Sequence, residues 1–599
     1  MPTGFAPRQT PVTQRQQSGA AAILFAVIVI ALVLSVGFAM TLGNLYMHQT
    51  ELRKVAAIAA LNQVRTISGC ATGAAGSLDG PAADSVDIGQ LLADSLIGAE
   101  AAAQATFEVI PGVQQSVNSL RVLDAELPPE LADAVAVTID APMPQSFLPI
   151  FSSPESQRMS VTAGAAQVVV GRVVVGSGLL DVDSDQSLIL DALLGGLLGS
   201  AVNLTVASYN GLLDAQITLL ELIEANGAVA SVEGLLDLNL QLPGALQLLG
   251  DALNASADAT DQAAANSAYT LATAASGISQ NITLRDYLQV DPDHTEQVAR
   301  LPINALDLIM GLSMLANEGN DVDMAMPSLV GLVIPGVADV NVNLRLRIVQ
   351  PPQEGLGRPG YAEDGSALTL ARSSQVLALV EVGVRLLPIG SFSLLNLNLD
   401  LGVEAGAAEA ELASIRCATP AEPFTQTQVF AQSQVGQIGI GNFDWTSVDP
   451  IGSAGPSTLL ELLGLPLLRV DPAIVVGLGS SGATTMGFDG PFVPLIEEPA
   501  GTHVDSVSAD ADQVLPDAIG SLLGQLLPNL VSNVPVLGLL APLLQPVVNL
   551  ATGLLTPLLE ALGLVLLNPL FELLGVSVGN AQVTMEAVYV EPPELFELR

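Results

Sequence analysis

Positively charged side chains are scarce in this 599-residue chain. It holds 18 Lys and Arg against 60 Asp and Glu, giving a formal net charge of −42, and Lys54 is its only lysine. Nucleic-acid-binding proteins need clustered Lys and Arg to displace the counterions of the phosphates. Because no arginine cluster follows residue 65, we expect no nucleic acid among the partners. The acidity is typical of a solvated surface.

Cysteines and aromatic residues are also few. The two cysteines, Cys70 and Cys417, could form one long-range disulfide in an oxidising compartment. Two separate buried thiols are the alternative. Aromatic residues make up 4% of the chain, with Trp445 the only tryptophan, which predicts a core packed from Leu, Val and Ala.

Motifs that carry chemistry are missing as well. The three histidines, His48, His294 and His503, are far apart, and we find no nucleophile elbow, P-loop or zinc pattern. The segment VVGLGSSGATT has the spacing GxGxxG, but Gly and Pro follow within ten residues, where a dinucleotide site needs a helix. A loop or hairpin is the preferred interpretation. We nominate no catalytic residue, cofactor or metal ligand, and expect a protein that is not an enzyme.

Three other patterns have ordinary structural explanations. Asp181, Asp183 and Asp185 resemble the start of a calcium loop, but the required glycine and final glutamate are missing. The run from Asp291 to His294 could bind a cation, although an Asp-Pro-Asp turn capping a helix is favoured. The Phe-Asp pairs at Phe443 and Phe488, the first beside Trp445, could form a binding edge, but buried aromatic side chains are more common.

One long apolar run is present, GAAAILFAVIVIALVLSVGFAMTLG at 19–43. A helix of roughly 20 to 25 apolar residues crosses a hydrocarbon core about 30 Å thick, so we predict a transmembrane helix at 19–43 after a cytoplasmic tail at 1–18. The core is longer than that of a cleavable signal, which favours a retained anchor. A cleavage-like site near Ala39 leaves release as an alternative. An Ala-rich stretch without Pro or Gly predicts a helical stalk at 44–68.

The remainder is predicted to be a large extracytoplasmic α+β region. A connector at 69–129 precedes a first domain at 130–420, and a Leu/Pro-rich second domain occupies 421–599. Strands are predicted from Ala134 and from Met159. Strict alternation in VNVNLRLRIV from Val340 and in LNLNLDLGVEAG from Leu395 predicts two half-buried antiparallel strands.

A helical block is predicted near 188–315, inserted between the strand regions. Within GLLDAQITLLELIEANG, Leu213, Ile217, Leu220 and Ile223 recur at helical spacing and are expected to be buried. The apolar segment 521–571 is broken by six prolines, so we predict short amphipathic turns that cover a sheet. A second membrane span or a re-entrant element is the alternative.

The N-terminal region resembles the opening of TadG-like proteins of the tight-adherence, Flp-type pilus assembly system. Positions that match an Arg-Gln-x-Gly-Ala start, a Gly-x-Leu-Tyr and an Ala-rich repeat are Arg15, Gln16, Gly19, Ala20, Gly43, Leu45, Tyr46, Leu52, Ala56, Ala59, Ala60 and Leu61. Thr41 and Ala57 stand where the family has aspartates. Later segments such as ITLRDYL and RIVQPPQEGLGRPG are similar to the large uncharacterised membrane-protein branch of that family.

The resemblance implies an inner-membrane component that helps to assemble, anchor or export an adhesive pilus. We expect a single-pass protein of the bacterial inner membrane, with most of the chain in the periplasm and docked to pilins, pseudopilins and other assembly proteins. Two alternatives remain at this point: an envelope hydrolase with an unrecognised carboxylate site, and a surface structural or adhesin-like protein.

Overall fold

The computed structural model describes most of the chain. The described residues are 17–67, 88–95, 102–117, 120–124, 134–143, 158–176, 182–256, 258–325, 337–362, 364–389, 392–416, 425–433, 436–447, 449–462, 465–478, 483–490, 503–507, 518–526, 553, 555–560, 562–574, 581–591 and 593–596.

The helices are α1 (Gln17–Ile67), α2 (Ile88–Asp94), α3 (Ser184–Leu198), α4 (Val206–Asp214), α5 (Leu219–Asn226), α6 (Val232–Leu236), α7 (Leu242–Ala255), α8 (Ala259–Ala274), α9 (Leu284–Tyr287), α10 (Thr295–Val298), α11 (Ala305–Leu315) and α12 (Asn568–Leu573). A 3-10 turn at Ala275–Gly277 follows α8, and a π-helical segment at Leu562–Leu567 precedes α12. Residues 518–526 and 555–560 are also helical.

The strands are β1 (Thr106–Val117), β2 (Leu120–Asp124), β3 (Ala134–Pro142), β4 (Arg158–Ala166), β5 (Val169–Val175), β6 (Gln216–Ile217), β7 (Leu240–Gln241), β8 (Asn281–Ile282), β9 (Leu288–Val290), β10 (Ile303–Asn304), β11 (Asp321–Ala325), β12 (Val337–Gln350), β13 (Glu354–Gly357), β14 (Leu370–Arg372), β15 (Gln375–Ile389), β16 (Phe392–Ala405), β17 (Ala408–Arg416), β18 (Thr425–Ser433), β19 (Gly436–Ile440), β20 (Ser457–Leu462), β21 (Leu465–Val470), β22 (Ile474–Leu478), β23 (Thr484–Gly490), β24 (His503–Val507), β25 (Ala581–Val590) and β26 (Glu594–Phe596). This composition confirms the predicted α+β class, with a long apolar N-terminal helix followed by a β-rich region that contains helices.

Helix α1 belongs to the smaller of two compact units, together with α2 and the antiparallel sheet β2-β1-β3-β4-β26. The second half of α1 packs its stripe of small and branched residues against β3 and β4. The buried members of that stripe are Leu52, Val55, Ala56, Ala59, Ala60 and Val64. They recur at three- and four-residue intervals and so form one face of the helix.

The first half of α1 has a different surface. Its large apolar side chains from Ile23 to Met47 are exposed on every side of the helix, except Leu45, which is partly buried. Among the described residues, α1 is the one helix long and apolar enough to cross a membrane. One unbroken helix of 51 residues therefore contains both the predicted span and the predicted stalk.

The larger unit occupies the chain between β4 and β26 of the smaller one. Its first and last strands, β5 and β25, are antiparallel neighbours, with Val169 opposite Val590. Both belong to the sheet β24-β25-β5-β13-β9, which packs through Val173 and Met585 against the sheet β14-β17-β18-β23. The strand character predicted from Met159 is confirmed, and it divides into β4 and β5 in different sheets.

An eight-stranded sheet forms the other wall of the larger unit. Its order is β11-β12-β15-β16-β19-β22, with β20 beside β16 and β21 beside β20. The alternation predicted for β12 and β16 is confirmed, since Leu344 and Leu346 are buried while Asn341 and Asn343 are exposed. The sheet contains strands from both sides of residue 420, and the predicted domain boundaries themselves stay predictions.

The predicted helical block is present as α3 to α11, and its apolar faces share one core with the inner face of this sheet. The helical register predicted through Leu213 to Ile223 is wrong. Thr218 and Glu221 form a capping box that starts α5 anew after the short strand β6. This restart shifts the phase of the pattern, so Leu219 and Leu222 are buried whereas Leu220 is exposed.

The described parts of the apolar segment 521–571 are short helices, as predicted. Ile519 and Leu522 of 518–526, Leu559, and Leu570 of α12 are buried in the same core. Residues 527–552 lie outside the described part of the chain. For the described residues, burial within the protein explains the high hydropathy of this region.

Candidate functional site

The residues singled out from the sequence do not converge on one place. Cys70 and Cys417 lie outside the described residues, so their pairing stays a prediction. Gly477 lies in β22, while Gly479 and Gly482 lie outside the described residues. Strand β23 begins at Thr484, where a dinucleotide site would need a helix.

The side chain of Asp183 caps the N-terminal end of helix α3. Its Oδ1 accepts a hydrogen bond from the Gln186 backbone N at 2.8 Å, and Gln186 Oε1 accepts one from the Asp183 N at 3.1 Å. This reciprocal pair satisfies two amide groups at the start of α3. Asp181 lies outside the described residues.

Asp291 lies beside Arg358 and His294. Arg358 Nε donates to its Oδ2 at 2.8 Å, and His294 Nδ1 lies 3.5 Å from the same oxygen. Burial by itself would raise the pKa of Asp291, but the hydrogen bond from His294 and the charge of Arg358 outweigh burial and hold that pKa below its ordinary value. The turn is confirmed by the Asp293 backbone N, which donates to Asp291 Oδ1 at 3.1 Å. The predicted helix cap is wrong, because the N-cap residue of α10 is His294, whose side chain makes no capping hydrogen bond.

Phe488 and Trp445 at the Phe-Asp pairs are buried, and Phe443 is half-buried against the same cluster as Trp445. Phe488 is fully buried, and Trp445 packs with Leu377, Leu379 and Ile451. Trp445 Nε1 donates to Asp321 Oδ1 at 2.9 Å. These residues therefore stabilise the fold rather than present an aromatic edge.

The most unusual polar cluster surrounds Arg172, in the middle of β5. Its side chain is 1% exposed. Nε donates to Glu354 Oε2 at 2.8 Å and Nη2 donates to Glu354 Oε1 at 3.0 Å, so the pair is bidentate. Nη1 donates to the Pro302 carbonyl at 3.1 Å and also to Glu586. Asp307 Oδ2 lies 3.8 Å from Nη2.

Tyr287 completes this Arg172 network. Its hydroxyl donates to Glu354 Oε1 at 2.5 Å and lies 3.1 Å from the Asp307 carbonyl oxygen. The ring sits directly against α11, because Gly311 has no side chain there, and an added Cβ would come within 2.0 Å of the ring. The network thus joins α9 and α11 of the helical block to β5, β13 and β25.

Three carboxyl groups surround one guanidinium in this network, so full ionisation would leave an uncompensated buried negative charge. Burial, followed by the charges of Glu586 and Glu354, raises the pKa of Asp307 well above its ordinary value. Burial also raises the pKa of Glu586, although Arg172 opposes that rise. Burial would lower the pKa of Arg172, but Glu354 and Glu586 more than offset it, and the guanidinium stays charged. Burial and the neighbouring carboxylates therefore favour the protonated forms of Asp307 and Glu586.

A cavity of about 50 Å³ lies beside the network and is lined by Asp307, Glu354 and Tyr287 together with apolar residues such as Met310 and Leu574. Asp307 keeps 19% of its side chain accessible and lines this cavity. A volume of this size holds a few water molecules, since one needs roughly 10 to 15 Å³. Within the described ranges, no group of three or more His, Cys, Asp and Glu side chains could hold a metal ion.

Sequence reasoning missed this network, although a signal for it exists. Arg172 is the single charged residue of VVGRVVV, a strand that is buried along its whole length. A charged side chain in such a strand requires a buried partner. The partners lie 130 to 414 residues away along the chain, and only the fold brings them together.

Comparison with known proteins gives one partial match. A domain of unknown function, DUF8293, matches residues 186–314, which coincide with the helical block from α3 to α11 and include Tyr287 and Asp307. No curated protein and no solved structure matches the chain.

Proposed function

We propose that this protein is a membrane-anchored, noncatalytic component of a Tad/Flp-type pilus assembly or secretion apparatus. In this proposal α1 crosses the bacterial inner membrane, and both compact units lie in the periplasm, where they dock pilins, pseudopilins or other assembly proteins. The observation that carries it is the division of α1 into an exposed apolar half and a half buried in the smaller unit. The pilus assignment itself depends on the TadG-like resemblance.

The geometry of α1 supports a retained anchor. The apolar residues 19–43 span roughly 37 Å as a helix, which exceeds a hydrocarbon core of about 30 Å. The helix continues without a break into the face formed by Leu52 to Val64, where it is part of a hydrophobic core. Membrane span and folded unit therefore share one rigid element, and anchoring fixes the position of that unit close to the membrane.

The charge distribution supports a folded region that stays out of the lipid. The chain carries 60 acidic residues, while its exposed large apolar residues are concentrated from Ile23 to Met47 of α1. Anionic headgroups repel an acidic surface. A docking role requires such a soluble domain on a fixed anchor, and the Arg172 network holds the helical block of that domain to its sheet.

A clean deletion of the gene in its host tests the assignment, with surface pili and surface attachment as readouts and a complemented strain as control. We expect pili to be lost while the pilin accumulates in the cell. Unchanged pili would overturn the pilus assignment and favour the hydrolase and surface-protein alternatives.

The structure allows the anchor to be tested separately. A cleavable signal joined at residue 44 preserves Leu52 to Val64, which the smaller unit needs for its core, but releases the protein from the membrane. The matched control replaces 19–43 with an unrelated apolar span of equal length. We expect only the control to restore pili in the deletion strain. Full restoration by the released form would show that anchoring is not required.

A further inference from the structure

The outer face of the eight-stranded sheet carries a polar groove of about 570 Å³ over β12, β15 and β16. We call it the Gly383 groove, because Gly383 lies in its floor. Side chains from the three strands surround this glycine: Asn341, Asn343, Glu381, Asn398 and Asp400. Three amides and two carboxylates thus face one depression of a size typical of ligand sites.

Gly383 has no structural reason to be glycine. A Cβ built there would meet nothing within 4 Å, and its backbone is outside the left-handed region that favours glycine. Glu381, Val382 and Val384 continue the ladders to both neighbouring strands, so no bulge occurs at this position. Glycine weakens a strand interior and often accompanies the close approach of a ligand or another backbone.

Two arginines of β12 on this face form ion pairs with β11. Arg347 pairs with Asp321 and Arg345 pairs with Asp323, each at 2.6 Å. Glu381 and Asp400 instead lie directly opposite one another on adjacent strands. Neither side chain forms an ion pair within the described part of the chain. Like charges in this position destabilise a sheet, and burial together with Glu381 raises the pKa of Asp400.

We propose that the Gly383 groove receives an arginine side chain from an extended segment of a partner protein. This inference rests on the proposed docking function and names the chemistry that docking would recognise. A planar guanidinium has five donors and no acceptor. Two carboxylates and the oxygens of three amides can accept them, and the open floor above Gly383 provides the space. Arg345 lies near Glu381 but forms its ion pair with Asp323, so the proposal takes the cation for the groove from the partner.

A metal ion fits the groove less well. No three carboxylate, His or Cys side chains converge there among the described residues, and the volume is that of an organic group. Calcium binding is therefore the competing outcome that the experiment must detect.

The test uses the full-length protein in nanodiscs and blocked arginine, Nα-acetyl-arginine methylamide, as the probe. Saturation-transfer NMR observes the probe and suits the millimolar affinity expected for one side chain. Blocked citrulline has the same shape without the charge. We expect binding of blocked arginine and no binding of blocked citrulline.

Two variants locate the site. Gly383→Val fills the floor with a residue that favours strands, so binding should fall at least ~10-fold, about 1.4 kcal/mol, while Tm is unchanged or higher. Glu381→Gln with Asp400→Asn should abolish binding. The charge-matched control is Asp214→Asn with Glu224→Gln, two exposed carboxylates of α4 and α5, and it should bind like the parent protein.

Several results would overturn the proposal: no binding by the parent protein, equal binding of blocked citrulline, binding that survives Gly383→Val, or equal loss in the charge-matched control. Displacement of the probe by micromolar calcium would assign the groove to a metal. Failure here while gene deletion still abolishes pili would reject the groove and leave the docking function standing. Binding here with unchanged pili would reject the pilus assignment alone.

Discussion

Two arginines of this protein occupy antiparallel strands and pair with carboxylates, yet their surroundings are opposite. Arg172 on β5 is 1% exposed and contacts Glu354, Glu586 and Asp307. Arg347 on β12 is 22% exposed, faces Asp321 across the strand pair and stacks over Trp445 at 5.1 Å. Bulk water can solvate an unpaired charge around Arg347, whereas burial makes an unpaired charge around Arg172 costly.

The difference shows that the same residue types have different roles in the two places. The Arg172 network binds distant segments into one arrangement, because an unpaired charge there is costly. The Arg347 pair adds little to stability, since exposed ion pairs contribute about 0 to 1 kcal/mol. Its surroundings instead shape a surface, beside the Gly383 groove.

The largest predicted effect is that of Arg172→Met. Methionine preserves much of the volume but leaves three buried carboxyl groups without their cation. We expect the free energy of unfolding of the larger unit to fall by about 3 to 5 kcal/mol at neutral pH. Urea unfolding followed by Trp445 fluorescence measures it, since Trp445 is the only tryptophan and lies in that unit.

Arg300→Met is the matched control for this substitution. Arg300 is exposed and lies over the Tyr589 ring at 6.0 Å, so the loss should stay below about 1 kcal/mol. Equal losses in the two variants would contradict the comparison. The deficit of Arg172→Met should also shrink in mild acid, where Asp307 and Glu586, whose pKa values are raised, become neutral.

Much of the fold could be predicted from local pattern. The alternation of Leu344 and Leu346 with Asn343 and Arg345 places one face of β12 in the core, and the uninterrupted apolar run before His48 gives the exposed half of α1. Both the alternation and the apolar run are patterns among residues that are close together in the sequence. The restart of α5 at Thr218 was missed because the apolar period continued across it, and the capping box outweighed that period.

The Arg172 network could be predicted only in part. A lone arginine in an apolar strand predicts a buried acidic partner. No feature of the neighbouring sequence distinguishes Glu354 and Glu586 from the other acidic residues of the chain. The Gly383 groove has the same limitation. Its asparagines were predicted to point away from the core, yet the pairing of Glu381 with Asp400 is a matter of strand register, which the pattern of one strand does not fix.

The protonation of the network predicts an unusual pH dependence. The folded-state pKa values of Asp307 and Glu586 are raised, so the folded state binds more protons than the unfolded chain above about pH 4. The stability that these two groups contribute is fully present below that pH and is lost as pH rises through their raised pKa values. For each group, the free energy of unfolding then falls by at most about 1.4 kcal/mol per pH unit.

The substitution Asp307→Asn isolates the pH-dependent contribution of Asp307 to stability, because an amide of the same size cannot ionise. We expect the variant to be within about 1 kcal/mol of the parent in mild acid and to gain relative to it as pH rises. Unfolding by urea at several pH values, read through Trp445, gives the difference. Asp214→Asn removes an exposed carboxylate, and its difference from the parent should not change in this way. A pH-independent difference for Asp307→Asn would show that this carboxyl group is ionised throughout.

The smallest predicted effect is that of Arg347→Gln. Asp321 keeps the hydrogen bond from Trp445 Nε1, and both partners of the lost pair are partly solvated, so we expect a loss of at most about 1 kcal/mol. Added salt should reduce the difference further, because screening weakens the pair already in the parent protein. Circular dichroism is the appropriate measurement, since removal of a cation stacked on Trp445 changes the fluorescence directly. A loss as large as that of Arg172→Met, or one that salt does not alter, would show that burial is not what separates the two arginines.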